Sequence, residues 1–354
     1  MSTDPAAMSS RSPMSGPAAT GVGSLPGQDM AEAVRLVMGE LGERPGVPFL
    51  PELPGRGVGA DMVGRGTSIL VDLFADVQPS GWRITDRPGR DHRRARGYLS
   101  SDLDLLEEHT QGYAGPLKLQ FVGPWTLAST VELQHGDKLL ADAGAVRDVA
   151  ASLAEGLRLH VEDVRKRVPG AQVVVQLDEP ALPGVLRGTV PTASGFGRLR
   201  AVEESAARDL LRTVIDGARS GGGVGEKGGG ALVIVHCCAP DVPFDSLRNA
   251  GVDGISFDLS LLSDRHDEAL GALIEGGVRL FAGIVPTVEP GRVPQVKALA
   301  DHALVLRRLG FSAQRVAQSV IVTPSCGLAA ASPAWAKHAL KLCRDTARAL
   351  EEVD

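Results

Sequence analysis

The chain has 354 residues, 37 Lys and Arg against 43 Asp and Glu, and a formal net charge of -6. That balance excludes a nucleic-acid binder held by a basic face, and no apolar run reaches the length of a membrane span or of a signal-peptide core. With 43% hydrophobic and 23% charged residues, a chain this long buries roughly three quarters of its unfolded surface, so a large core without covalent staples is expected, in a cytoplasmic protein.

Residues 1 to 16, rich in Ser, Pro and Met, show no periodicity and read as a disordered tail. From residue 17 onward one theme recurs: a short apolar run, a turn, then a longer segment of helical period. The apolar runs fall at 19–26, 47–53, 117–124, 171–180, 231–238, 254–260, 278–285 and 320–327, which makes eight expected strands. Helices are expected at 28–42, 61–75, 145–167, 202–220, 294–309 and 333–352. In the third of these, Leu153, Leu157, Val161 and Val164 repeat at spacings of three and four and predict one buried face. Strands that are apolar at consecutive positions and alternate with helices form parallel sheets covered on both sides. Eight such units predict a single (β/α)8 barrel, of the TIM-barrel type, over 17–354, with an open doubly wound sheet as the alternative.

The glycine-rich stretch at 220–230 lacks the spacing of a phosphate-binding loop and leads into a strand instead of following one, so it reads as a surface linker. The basic stretch at 83–96 reads as a solvated loop or helix face, with the grip of an anionic cofactor tail as the alternative.

In a β/α barrel the reactive groups stand at the carboxyl ends of the strands. Those ends carry Ser24, Glu52, Trp125, Asp178 with Glu179, His236 with Cys237 and Cys238, Asp258, and Cys326. Residues i and i+2 of a strand share a face, so His236 and Cys238 point together while Cys237 turns away into packing. Joined by Cys326 and Asp258, they offer thiolate, imidazole and carboxylate donors suited to Zn2+. Cys343 lies inside a helical pattern and reads as a small buried hydrophobe. Asp178 and Glu179 precede Pro180 and are candidates to hold an amine, orient a ligand or act as acid or base, with helix capping as the other reading. For Glu52 the other reading is likewise helix capping, and for Ser24 it is a turn role.

These residues and their neighbours resemble the catalytic half of cobalamin-independent methionine synthases. V-Q-L-D-E-P-A-L (175 to 182), V-H-C-C (235 to 238), I-S-F-D-L-S (255 to 260) and T-P-S-C-G-L (323 to 328) match four motifs of that family in order. G-V-G-S-L-P (21 to 26), P-E-L (51 to 53) with D-M-V (61 to 63), and G-P-W-T (123 to 126) match three weaker ones. The resemblance implies a β/α barrel, a zinc ion on His236, Cys238, Cys326 and Asp258, the last standing where the family has a glutamate, and homocysteine held by Ser24, Glu52 and Asp178. It implies transfer of a methyl group to the homocysteine thiol, giving methionine.

Three departures from the family pattern leave the methyl donor open between a folate and a corrinoid carrier. The segment G-I-V-P-T (283 to 287) has no histidine to serve as proton donor. The aromatic expected beyond the G-P-x-T motif is missing, with Trp125 as the candidate substitute stacking surface. The long enzymes also have a second barrel-like half before the catalytic one. In these respects the chain is similar to short, single-barrel members. The alternatives are a corrinoid-dependent methyltransferase acting on a different thiol, and a non-catalytic barrel around a closed structural zinc.

Overall fold

The computed structural model describes residues 14, 16–221 and 230–353. Most of the expected tail, and the centre of the glycine-rich stretch, lie outside these residues.

Seven parallel strands form one curled sheet: β1 (Ala18–Ala19), β4 (Gly115–Val122), β5 (Ala171–Asp178), β6 (Leu232–His236), β7 (Gly254–Asp258), β8 (Arg279–Val285) and β9 (Val320–Pro324). Their order around the sheet is β1, β9, β8, β7, β6, β5, β4. The remaining expected strand, 47–53, supplies the eighth stave between β4 and β1 without becoming a laddered strand. Gly46, Phe49 and Glu52 make isolated parallel bridges to Ala19, Lys118 and Ser24. Val47 N donates to Ala19 O at 2.7 Å on one side, and Leu50 N to Lys118 O at 3.1 Å on the other. Pro48 and Pro51 carry no N–H, which interrupts the ladder while the ring still closes. The architecture is the expected α/β barrel.

Helices cover the outside. Asp142 accepts from Gly144 N and Ala145 N and so starts Ala143–Arg167, whose Leu153, Leu157, Val161 and Val164 are fully buried. Glu204–Ser220 packs beside it, and Pro333–Glu351, capped by Ser332, leans on β9. The expected helix over 294–309 is α-helical only at Val296–Ala303 and continues as a tighter 3₁₀ segment, Leu304–Leu309.

Two elements depart from expectation. The helix expected over 61–75 stops at Ser68, and an antiparallel hairpin follows, β2 (Phe74–Gln78) with β3 (Gly81–Thr85). Ala75 and Val77 face Ile84 and Trp82 across it, an apolar alternation around the two-residue Pro79-Ser80 turn that outweighs helical propensity. A long helix, Arg90–His109, then begins inside the basic stretch 83–96 and runs beyond it. Its His92, Ala95, Leu99, Asp102, Leu103 and Leu106 are buried, so the arginines at 90–96 lie on or beside the opposite face.

Inside the ring the alternation of each strand sorts apolar from polar residues. Val174, Ile234, Phe281 and Ile321 form a dry floor with Met14, Ala18 and Val47. Two and four residues further along the strands, the inward positions become polar: Gln176 and Asp178 on β5, His236 on β6. On β4 the inward positions Lys118 and Gln120 are polar too. All five are buried.

Candidate metal centre

The polar end of the barrel starts from strand register. Asp178 pairs with His236, and His236 with Ser256, in adjacent parallel strands, so three inward side chains stand in one layer. The His236 imidazole is 3% exposed, and its Nδ1 lies 2.8 Å from Ser256 Oγ. The tautomer that donates from Nδ1 to the serine leaves the Nε2 lone pair free to coordinate.

Cys238, two residues beyond His236, brings its sulfur to 3.1 Å from Cys326 Sγ, and Cys326 Sγ stands 4.0 Å from His236 Nε2. The three donor atoms lie within 4.8 Å of one another, the only such group of three or more His, Cys, Asp or Glu donors among the described residues. Chain separations of 88 and 90 residues show that barrel closure, not local sequence, assembles the group. The hydrogen bond from the Cys238 thiol and the nearby imidazole hold Cys326 well below the ordinary thiol range. The same sulfur contact and burial push Cys238 up, so the pair shares its first proton loss and resists the second. Two soft sulfurs and one imidazole, half-buried and with the imidazole already oriented, fit a zinc ion.

Cys237 is fully buried and is not among the clustered donors. Cys343 is buried inside Pro333–Glu351.

The structure does not bring Asp258 into the group. Its carboxylate accepts from Ser260 N at 2.9 Å and Ser260 Oγ at 2.6 Å and caps the turn Leu259–Leu261. A short aspartate finds these local donors more readily than a longer glutamate would. Trp125 is also displaced from its expected role as a stacking surface. Its indole N–H donates to Ala207 O at 3.0 Å, which anchors the ring, 3% exposed, against the outer helix Glu204–Ser220.

Glu52, Asp178 and Ser24 are at the polar end. Glu52 is 3% exposed and its Oε1 has no hydrogen-bond partner. Burial pushes its carboxyl up to about 7, against the pull of Arg65. Asp178 Oδ1 accepts from Gln176 Nε2 at 2.7 Å, and burial raises this carboxyl to about 6 against the attraction of His236. Ser24 lies on the loop after β1, where its carbonyl accepts from Leu328 N at 2.9 Å. A Cβ on Gly327 would fall 2.1 Å from Ser24 Oγ, so only glycine beside Cys326 leaves room for that hydroxyl. The neighbour Glu179 takes the capping role instead: its carboxylate receives Trp125 N, Thr126 N and Thr126 Oγ1 at 2.7 to 2.8 Å.

Several contributors were not singled out from sequence. Lys118 is fully buried, donates from Nζ to Val22 O at 2.8 Å, and is pushed down to about 7 by burial. Gln176 donates to the same carbonyl, and Gln120 donates to Leu50 O. The i, i+2 polar pairs in L-K-L-Q and V-Q-L-D were the available signal. Ser256 sat inside a quoted motif, two residues before Asp258, with the same parity.

Among comparisons with known proteins, the family model described as cobalamin-independent synthase, catalytic domain, matches residues 17–349. A B12-independent methionine synthase from Shewanella sp. W3-18-1, solved in complex with selenomethionine, is 14% identical and covers 95% of this chain and 98% of its own, with a TM-score of 0.59. GH5_18 from Streptomyces cattleya, solved in complex with GlcNAc, is also 14% identical and covers 95% and 80%, with a TM-score of 0.46. No curated protein matches the chain.

Proposed function

Because this chain belongs to the cobalamin-independent synthase catalytic-domain family, we propose that it is a zinc-dependent methyltransferase that moves a methyl group onto the thiol of homocysteine to form methionine. The observation that carries the reading is the convergence of His236 Nε2, Cys238 Sγ and Cys326 Sγ within 4.8 Å at the polar end of the barrel.

These three residues would hold the ion, whose chemistry there is to favour the deprotonated, nucleophilic form of an approaching thiol. Three protein donors, with Asp258 engaged by Ser260, match the open arrangement of catalytic zinc sites and speak against a closed structural one. Glu52, with one unpartnered oxygen, and Asp178 are acceptors for the ammonium group of the amino acid. The loop around Ser24, packed against Gly327, is the proposed seat of its carboxylate. Held at both ends, the substrate is left with little freedom except for its sulfur, and attack needs the methyl carbon about 3 to 3.5 Å away and in line.

A second reading concerns the donor. With the Trp125 indole bonded to Ala207 O, and Pro286 and Thr287 after β8 where a proton-donating histidine would be wanted, a corrinoid carrier is favoured over a stacked methyltetrahydrofolate. Such a carrier needs no protonated leaving nitrogen.

The test is product analysis of zinc-loaded protein with homocysteine and either methylcobalamin or N5-methyltetrahydrofolate. Methionine from one donor supports the reading and names that donor. Absence of methionine with both, while zinc is retained, rejects it.

A further inference from the structure

Glu52 stands in an unusual relation to its nearest cation. Arg65 Nη1 is 4.0 Å from Glu52 Oε1, close enough for attraction but too far for a hydrogen bond. Both side chains are almost completely buried, where direct contact would be strongly favoured unless something else held the guanidinium. Two acceptors do: Arg65 Nη2 donates to Pro51 O at 2.7 Å and to Asp102 Oδ2 at 3.1 Å.

Asp102 belongs to Arg90–His109, an outer helix that contributes none of the expected site residues. It is 1% exposed. Arg56 fills both of its oxygens, Nη1 to Oδ1 at 2.7 Å and Nη2 to Oδ2 at 2.8 Å, and itself lies 4.6 Å over the Tyr98 ring. Two guanidinium groups and two carboxyl groups therefore form a chain, Arg56, Asp102, Arg65, Glu52, in which only the last link is left open.

We propose that Asp102 is a positioning residue for the substrate amine: by anchoring Arg65 away from Glu52 it keeps Glu52 Oε1 free to receive the ammonium group. Without that anchor, the Arg65 fork closes on Glu52 and occupies the oxygen the ligand needs. The inference rests on the assignment of Glu52 to an amino-acid thiol made above.

Binding to zinc-loaded, full-length protein tests it, with homocysteine and with 4-mercaptobutanoate, the same thiol acid lacking the amine. In the wild type, homocysteine binds more tightly. In Asp102→Asn, homocysteine weakens about tenfold or more, the loss of one charge-assisted hydrogen bond, while 4-mercaptobutanoate changes by less than about twofold. Asp102→Glu, which keeps the charge, restores the preference for the amine. Should Asp102→Asn fail to fold, Arg65→Lys gives the same amine-specific loss, because a single-point ammonium on a differently shaped stem does not reproduce the planar group held by Pro51 O and Asp102.

Equal weakening of both thiols, or unchanged homocysteine binding in a folded variant, overturns the role of Asp102. A wild-type protein that does not distinguish the two thiols overturns the Glu52 assignment itself, and this inference with it.

Discussion

Ser256 Oγ and His236 Nδ1 lie 2.8 Å apart across the register between β6 and β7. The serine thus orients the histidine from the side opposite to the sulfurs. Partners of this kind are worth about 10- to 100-fold in metal affinity. Ser256→Ala is expected to weaken zinc binding by that factor while leaving the thermal midpoint of the metal-free protein within a few degrees, as measured by chelator competition and by melting.

Sulfur substitutions separate ligands from packing. Cys238→Ser and Cys326→Ser are expected to lose bound zinc with the barrel still folded. Cys237→Ser and Cys343→Ser retain it at a cost in stability of about 1 to 3 kcal/mol, because each buries a hydroxyl among apolar neighbours. Asp258→Asn also retains zinc, since the carboxylate caps Ser260. Metal analysis of the purified variants checks all five; wild-type zinc in Cys238→Ser would break the ligand assignment.

Glu179 satisfies three donors at the start of Pro124–Thr130. Glu179→Ala strands two buried N–H groups and a hydroxyl, and is expected to cost about 3 kcal/mol or more, read from urea unfolding. Metal binding in the folded fraction stays near normal, because Glu179 is not among the three clustered donors.

His160 packs edge-on against Phe121 at 4.8 Å, and burial pushes its imidazole down to about 4. A base whose folded value is depressed stabilises the fold fully above its ordinary value near 6.5, and that contribution is lost as pH falls toward 4. From pH 7.5 to about pH 5 the loss comes to roughly 2 kcal/mol. His160→Leu is expected to flatten the acid-side fall in unfolding free energy by this amount; an unchanged slope would show that the imidazole is charged in the folded protein.

The repeating barrel units were legible because consecutive apolar strands and one-faced helices leave strong periodic signals, as in Ala143–Arg167. His236 and Cys238 followed from strand parity, but placing Cys326 beside them required assuming that all strand ends share one mouth. The hairpin at 74–85 went unseen because the expected helix ran over its first two residues and the basic stretch over its last three, leaving only a short alternation between them. The buried face of Arg90–His109 was masked by arginines, and with it Asp102. Asp258 and Trp125 could not be placed by position alone. Each sits where the motif predicts, and nearby donors or acceptors, Ser260 and Ala207 O, decide where its side chain goes. Lys118 stood inside an apolar run with no motif to mark it, and only the barrel interior shows that its ammonium is held by the Val22 carbonyl.

The proline-broken stave at 46–52 makes the ring unequal around its circumference. Glu52 hangs from the stave with the fewest rungs, so whatever pulls on its carboxylate also draws that seam shut. Amide deuterium uptake at Val47, Leu50 and Glu52 becomes a gauge of occupancy, slowing when an amino-acid thiol arrives, while the well-laddered staves opposite keep their pace.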